Sequence, residues 1–128
     1  MHDGRMVHLD TNFLIQATIP GSLAHGLFSS WCITGEAVNI SAIVWAEFLC
    51  GPLEPMAEQI ACEIFPNPEV FLSVDSKLAA GLFNKTGRRS RSLADCMIAA
   101  VAIRCQASLA TINRTDFKPF VMYGLTLA

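Results

Sequence analysis

The sequence predicts an α/β protein with a parallel sheet of about five strands that helices cover on both faces. Two observations predict this fold class: short β-type runs alternate with helical segments, and no repeat or low-complexity linker interrupts them. Strands separated by helical crossovers pair in parallel, and such sheets are buried on both faces. At 128 residues the chain suits one core, so residues 1–128 are expected to form a single domain in which residues 1–5 are a short tail.

The first half of the chain is predicted to alternate two strands with helical segments. In order, these are a strand at Met6–Leu9, a helical turn after Asp10, a helix from Ser22 to Ile33, a strand at Val38–Ile40, a helix from Ser41 to Cys50 and a helix at Pro55–Ile64. Ser41 suits a helix start because its hydroxyl accepts from the free N–H groups of the first turn. Gly51 and Pro52 end that helix because neither residue favours its continuation.

The second half is predicted to add three strands and two helices. In order, these are a strand at Val70–Val74, a helix that Asp75 caps and that runs to about Asn84, a basic loop from Lys85 to Arg91, a helix from Ser92 to Cys105, a strand at Ser108–Ile112 and a last strand near Met122–Leu127. In parallel sheets of this kind, sites form beyond the carboxyl ends of the strands.

Charge is divided unevenly along the chain. Residues 1–76 hold one base and nine acids, whereas residues 77–128 hold eight bases and two acids, so the halves carry −8 and +6 within the formal total of −2. The two acids of the basic half are Asp95 and Asp116. A basic surface that keeps only two carboxylates suits a protein that attracts a polyanion, although chance segregation in a short chain is the alternative.

Three carboxylates are the only Asp, Glu, Lys or Arg side chains of long apolar stretches. They are Asp10 in residues 6–35, Glu47 in residues 37–53 and Asp95 in residues 92–103. A lone ionised carboxylate is costly to bury unless a partner compensates it. The compensating charge therefore comes from elsewhere in the fold or from a bound cation. If the Met6 and Ser108 strands are central, Asp10 and Asp116 meet at the same edge of the sheet.

Each of these acids also has a structural explanation. Asp95 follows Ser92 by three residues, so the pair fits a capping box. Asp10 or Asn12 fits a cap for the turn after the first strand, and Asp116 fits a solvated turn residue. Glu47 is hardest to explain in this way, because apolar residues surround it on every helical face; its alternative is an ion pair with a distant Arg.

Four segments resemble the successive motifs of PIN-domain nucleases. They are Leu9-Asp10-Thr11-Asn12, Ile40-Ser41-Ala42-Ile43 leading to Ala46-Glu47-Phe48, Leu93-Ala94-Asp95 with Ile98-Ala99-Ala100, and Leu109-Ala110-Thr111-Ile112-Asn113 with Asp116-Phe117. Their order and spacing match over nearly the whole chain, and the compact length is similar to that of VapC toxins. The resemblance implies a three-layer α/β/α fold, ribonuclease activity that needs Mg²⁺ or Mn²⁺, homodimerisation and inhibition by a VapB-like antitoxin. It also implies an acidic quartet at Asp10, Glu47, Asp95 and Asp116.

The chemistry of the quartet is consistent with that activity. Hard divalent cations prefer carboxylate and water oxygens, so Asp10, Asp95 and Asp116 are expected to hold the metal. Glu47 is expected to orient or deprotonate the attacking water, or to hold a second ion. We expect hydrogen bonds to the metal-binding carboxylates, or contacts with the substrate, from Thr11, Asn12, Thr111 and Asn113. RNA phosphates are expected at Arg88, Arg89 and Arg91, for which the alternatives are a solvated loop or a contact with an acidic antitoxin tail.

Other classes of function fit less well. A haloacid-dehalogenase type of phosphatase wants a second Asp two residues after the first, where this chain has Asn12. A non-catalytic RNA-binding or scaffold protein on the same fold predicts missing acids, and none is missing. A DNA nuclease of the same chemistry stays open, because metal-bound carboxylates do not distinguish sugars.

Cysteine usage and hydropathy suggest the cytoplasm as the location. The five cysteines include no C-x-x-C pair, and they are expected to be small, buried, reduced residues. No zinc-ligand spacing involves His2, His8 or His25. No secretory leader opens the chain and no segment predicts a membrane span, so the mean hydropathy of +0.42 indicates apolar surface that another protein chain covers.

Overall fold

The protein is built around a parallel sheet, as the sequence predicts. The computed structural model describes residues 6–128, so the predicted tail at residues 1–5 lies outside the described residues. The strands are β1 (Met6–Leu9), β2 (Ala37–Asn39), β3 (Ser108–Ala110) and β4 (Thr126–Leu127). Their order is β2-β1-β3-β4, and every neighbouring pair is parallel. The Met6 and Ser108 strands are therefore the central pair, as expected.

Seven helices connect these strands within the described residues. They are α1 (Thr11–Ala17), α2 (Leu23–Thr34), α3 (Ala42–Leu49), α4 (Pro55–Ile64), α5 (Ser73–Lys85), α6 (Leu93–Arg104) and α7 (Arg114–Phe117), which a 3₁₀ helix (Lys118–Tyr123) follows. The cap predicted at Ser41 is confirmed, because its Oγ accepts from the backbone N–H of Val44 at 3.2 Å. Ser22 begins α2 in the same way.

Helices cover both faces of the sheet, which β1 shows most clearly. Successive side chains of a strand point to opposite faces, and His8 and Leu9 are both almost fully buried. Leu9 faces a groove that Leu14 of α1 and Phe28 of α2 also line. His8 lies close enough to Arg104 of α6 to interact with it electrostatically. The α/β fold class, with one helical layer on each side of the sheet, is therefore confirmed.

Two predicted strands differ from the structure, and the sheet has four strands rather than about five within residues 6–128. Val70–Val74 is not a strand. Glu69 forms an isolated bridge with Ser41, but the two segments pair no further, because α3 begins at Ala42 and α5 begins at Ser73. The guanidinium of Arg104 binds the Val70 carbonyl at 3.0 Å. The last strand is shorter than predicted, because residues up to Tyr123 form the 3₁₀ helix and only Thr126–Leu127 pairs with β3.

Asp75 lies inside the first turn of α5 and not at the cap position that the sequence predicts. Its Oδ2 accepts from the backbone N–H of Leu72 at 2.8 Å, so it stabilises the helix start from within the helix. Its Oδ1 accepts from Nε of Arg104 at 2.7 Å. Asp75 is completely buried, and Arg104 also reaches Glu69 at 3.2 Å. One guanidinium thus joins α6, α5 and the segment beside β2.

The expectation that the cysteines are buried is wrong for most of them. Cys96 is buried and Cys105 is half-buried, but Cys32, Cys50 and Cys62 are exposed, and all five are free thiols. These three lie on α2, after α3 and on α4, where large apolar side chains such as Ile33 and Met56 are also exposed. In the part of the chain that the structure describes, no helix has both the length and the apolarity to cross a bilayer.

The Arg104–Asp75 pair gives a direct test of this packing. We expect Arg104→Met to lower the free energy of unfolding by about 3 kcal/mol, because it leaves a fully buried carboxylate without its charged partner. Urea denaturation measures the loss. Lys77→Met, which removes an exposed cation from α5, is the control and is expected to change stability by about 0.5 kcal/mol or less. A similar small change for both variants would contradict a structural role for the pair.

Candidate active site

Asp10 is held firmly at the point where β1 passes into α1. Its backbone N–H donates to the Ala110 carbonyl at 3.0 Å, which extends the pairing of β1 with β3 by one residue. Its Oδ1 accepts from the backbone N–H of Phe13 at 2.8 Å and so caps α1. Its Oδ2 accepts from Oγ1 of Thr111 at 2.5 Å. The carboxylate is only 3% exposed, yet each oxygen keeps a lone pair for a further partner.

Thr111 connects this carboxylate to the segment after β3. Its hydroxyl donates to Asp10 and accepts from the backbone N–H of Asn113 at 2.9 Å. The Asn113 carbonyl in turn accepts from the backbone N–H of Asp116 at 3.0 Å, in the first turn of α7. A chain of hydrogen bonds therefore runs from Asp10 to the turn that carries Asp116.

Glu47 reaches the same edge from α3. Oγ1 of Thr11 donates to its Oε1 at 2.5 Å, and Thr11 is the residue next to Asp10. The sequence-based view that Glu47 is buried among apolar residues is wrong, because its side chain is exposed. Its helix lies over the sheet edge with Val44 and Phe48 turned into the core, which leaves Glu47 on the open side.

Asp95 lies in the first turn of α6 and is half-buried. The pKa of Asp95 is raised to about 6, mainly by burial and then by the negative charges of Asp116, Glu47 and Asp10 in that order. Arg89 opposes them. All three other acids of the predicted quartet therefore act on Asp95, which places the four carboxylates in one electrostatic cluster.

The pKa of Asp10 is raised as well. Burial is the main cause, the hydrogen bonds from Thr111 and Phe13 oppose it, and the charge of Glu47 adds to it. Asp10 thus ionises at a cost that its two hydrogen bonds offset only in part.

The structural alternatives for these acids are only partly realised. Ser92 does not cap α6, because its Oγ donates to the Arg89 carbonyl at 2.8 Å, so Asp95 is not half of a capping box. Asp10 does cap α1, but only through one of its two oxygens. Within residues 6–128, the salt bridges of acidic side chains are those of Arg104 with Glu69 and Asp75, so no basic side chain forms an ion pair with the quartet.

The quartet is an electrostatic cluster rather than a finished ligand cage. Among residues 6–128, no three His, Cys, Asp or Glu side chains are arranged as a ready-made metal site. The donor set nevertheless suits a hard divalent cation, because it consists of carboxylates that form no ion pair with a base within residues 6–128, and the pKa values of Asp10 and Asp95 are raised. Mg²⁺ retains several waters and takes only one or two protein carboxylates directly, so it does not require a closed cage.

The remaining predicted residues lie around this cluster. Asn12 is exposed on the first turn of α1, and Asn113 is half-buried before α7. Arg88, Arg89 and Arg91 are all exposed in the loop before α6. The bond from Ser92 to the Arg89 carbonyl fixes that loop beside Asp95. Sequence reasoning missed this role of Ser92, because its spacing from Asp95 suggested a helix cap instead.

Comparisons with known proteins define the class. The sequence profile of the PIN domain matches residues 7–118. The chain therefore belongs to the PIN domain family, whose members are generally nucleases and generally use divalent metal ions. A comparison with curated protein sequences gave no match.

Similar solved structures share the fold. A chain in the crystal structure of VapBC2 from Rickettsia felis bound to a promoter DNA fragment is 19% identical with a TM-score of 0.75, covering 96% of this chain and 97% of that chain. A chain of FitAcB from Neisseria gonorrhoeae is 20% identical with a TM-score of 0.71, covering 96% and 97%. A chain of a toxin-antitoxin complex from Klebsiella pneumoniae is 23% identical with a TM-score of 0.70, covering 87% and 89%.

The raised pKa of Asp95 predicts how stability depends on pH without metal. Between its ordinary value of 3.8 and about 6, the folded protein keeps a proton that the unfolded chain has lost. The Asp95 contribution to stability is therefore present at low pH and is lost as pH rises through 6. We expect Asp95→Asn to be more stable than the unaltered protein at pH 7 in chelator, and about equally stable at pH 4, as measured by urea denaturation.

Because His8 also has a shifted pKa, the stability of Asp95→Asn must be compared with that of the unaltered protein at each pH. Burial lowers the pKa of His8 to about 4, so its own contribution rises with pH between about 4 and 6.5 and opposes that of Asp95. The contribution of His8 cancels in the difference between their free energies of unfolding, since both proteins contain His8. Glu63→Gln, an exposed acid on α4, is the matched control. If the difference in stability between Asp95→Asn and the unaltered protein is the same at pH 4 and pH 7, the clustered geometry is contradicted.

Proposed function

We propose that the protein is a metal-dependent endoribonuclease and the toxin component of a type II toxin-antitoxin system. The observation that carries this proposal is the convergence of four carboxylates from four separate elements, without an ion-paired base, at the carboxyl ends of the central strands. A cluster of this kind is costly for a protein to maintain unless a cation uses it.

The position of each residue in the cluster suggests its role in the reaction. Asp10, Asp95 and Asp116 would hold Mg²⁺ or Mn²⁺, directly or through water. When bound, the ion polarises the scissile phosphate and makes water more acidic. Glu47 orients the attacking water with Oε2 and accepts its proton, while Thr11 fixes the other carboxylate oxygen. Water oxygen bonds to phosphorus, the bond to the leaving oxygen breaks, and solvent protonates that oxygen.

Nearby polar and basic groups suit the binding of RNA. Arg88, Arg89 and Arg91 are exposed beside the cluster, and their guanidinium groups match phosphate geometry. Asn12 and Asn113 lie close to the acidic edge, where they are available for contacts with a phosphate or ribose. Thr111 orients Asp10 and is not free to bind substrate, because its hydroxyl is already shared.

An apolar groove between α1, α2 and α4 supports an antitoxin partner. The groove has a volume of about 700 Å³ and is lined mainly by apolar side chains, among them Ile33, Met56 and Ile60. Among the residues in the described part of the chain that line it, Glu54 is the one acid and none is Lys or Arg. An amphipathic antitoxin segment with apolar and basic residues complements this surface. We also propose that the protein acts in the cytoplasm and as a homodimer, since Leu72 and Val74 are exposed apolar residues outside the groove.

Cleavage assays test the enzymatic proposal. We expect the protein to cut single-stranded RNA with Mg²⁺ or Mn²⁺ and not with chelator, and Asp10→Asn to lose at least about 100-fold in rate. Asn retains the cap of α1, so this variant keeps its fold. Mg²⁺ should raise the melting temperature of the parent protein and not that of the variant. Glu63→Gln is the control and should behave as the parent does.

The outcomes of that assay separate the proposal from its alternatives. Metal-dependent cleavage of DNA in preference to RNA would point to a DNA nuclease. Metal-independent binding of RNA without cleavage would indicate a non-catalytic protein on the same fold. Either result would contradict the proposed activity.

A growth assay tests the partner. We expect expression of the protein to arrest growth and co-expression of the short reading frame beside its gene to restore it. Ile60→Glu places a charge in the apolar groove, so this variant should remain toxic but no longer be rescued. Gln59→Glu puts the same charge on α4 outside the groove and should still be rescued. Equal rescue of both variants would contradict a role of the groove in antitoxin binding.

A further inference from the structure

A second groove lies at the β4 edge of the sheet and differs in character from the first. It has a volume of about 720 Å³ and is bordered by Arg114 of α7, Lys118, residues of the 3₁₀ helix and β4. Of the described residues that line it, two are cations and none is Asp or Glu. The groove between α1, α2 and α4 has the opposite composition, since its described lining holds one acid and no Lys or Arg. The two grooves therefore suit partners of opposite charge.

Arg114 is held in place relative to the acidic cluster. It begins α7, the same short helix that carries Asp116. Its Nη1 donates to the Ala128 carbonyl at 2.8 Å, which fixes the side chain along the β4 edge. Nε and Nη2 remain available, and these are the donors with which a guanidinium binds a phosphate. Lys118 follows at the end of α7 and is exposed, so it adds a second cation to the same border.

The floor of the groove is apolar and open. Met122 is 78% exposed and Val121 is 46% exposed, and Leu127 of β4 lies beside them. A flexible, polarisable methionine packs well against a flat ring. Single-stranded nucleic acid binds where a cationic border follows the phosphates and an apolar surface receives the bases.

We propose that this groove binds the RNA strand next to the cleavage site, with phosphates on Arg114 and Lys118 and a base on Met122. The inference rests on the proposed ribonuclease function and adds a second binding surface to it. Arg89 acts on the cluster from the α6 side, and Arg114 lies two residues before Asp116 on α7. An RNA strand that crosses the acids therefore meets cations on both elements, which offset the repulsion between its phosphates and the quartet.

Salt-dependent binding of a single-stranded uridine oligonucleotide of about 12 nucleotides tests the proposal. The Asp10→Asn protein is used throughout, so that the RNA is not consumed. Each phosphate contact contributes about 0.7 to the slope of log affinity against log salt. We expect Arg114→Gln and Lys118→Gln each to reduce the slope by about 0.7, and Met122→Ser to weaken binding about fivefold with the slope unchanged. Lys77→Gln, which removes an exposed cation from α5, should leave the slope unchanged.

Arg89→Gln separates failure of this inference from failure of the proposed function. If Arg89→Gln lowers the slope while Arg114→Gln and Lys118→Gln do not, the groove does not bind RNA, although the function stands. If the groove variants instead weaken self-association in sedimentation experiments, the surface is an interface between copies and the inference is overturned. If the Asp10→Asn protein does not bind RNA and the unaltered protein does not cleave it, both this inference and the proposed function are overturned. Lys118 and Met122 are exposed, so their variants test the groove even if Arg114→Gln is unstable.

Discussion

The parallel pairing of β1 with β3 is the interaction on which the site depends. Its register sets Leu9 opposite Ala110, and the bond from the Asp10 N–H to the Ala110 carbonyl carries the pairing one step further. Asp10 and Thr111 thereby leave the sheet side by side, although 101 positions separate them in the chain. Because side chains alternate between faces along a strand, a slip of one residue would separate them. The other acids arrive on helices that pack around this pair.

Repulsion among the carboxylates is the cost of that arrangement, and the fold reduces it in three ways. Hydrogen bonds from Thr111 and Phe13 stabilise the buried Asp10. Glu47 and Asp116 remain exposed, so water screens their charge. Arg89 stands near Asp95 without forming an ion pair with it. The cluster stays negative as a result, which is the condition for drawing in a cation and, with it, a phosphate.

The contrast with Arg104 shows that the uncompensated charge is specific to one end of the sheet. At Arg104, a buried carboxylate receives a guanidinium at hydrogen-bond distance and a second acid shares it. This network joins three segments and stabilises the fold. Among residues 6–128 the quartet has no such partner, and this difference is what separates a candidate functional site from structural ion pairing.

Much of the fold could be predicted, because the relevant signals are local. The helices from α1 to α4 follow from capping residues, proline positions and apolar spacing, and the central strands follow from the alternation of elements. Val70–Val74 has the composition of a strand, but its pairing stops where the partner segment, distant in sequence, enters α3 at Ala42. The strand predicted near Met122 is shorter in the structure, because the 3₁₀ helix leaves only two residues to pair with β3.

The clustering of the four acids was predictable from the sequence, but their burial and their contacts were not. A lone charge in an apolar stretch marked Asp10 correctly as buried, yet the same signal was wrong about the burial of Glu47. Sequence cannot distinguish a helix that is enclosed from one that covers a sheet edge, since both have many apolar residues. The exposed cysteines of α2 and α4 show the same limit, because their surroundings are apolar surface rather than core. The contact between Thr11 and Glu47 depends on how α3 lies against α1, which no local pattern specifies.

In the proposed metal site, Asp10, Asp95 and Asp116 surround one divalent cation and Glu47 lies beside it. A crystal of the protein grown with Mn²⁺ and measured near the manganese absorption edge tests this site most directly. We expect an anomalous peak among the carboxylate oxygens of Asp10, Asp95 and Asp116, with Glu47 facing it. A crystal that contains Mn²⁺ but shows no peak there, or shows one only at other side chains, would contradict it.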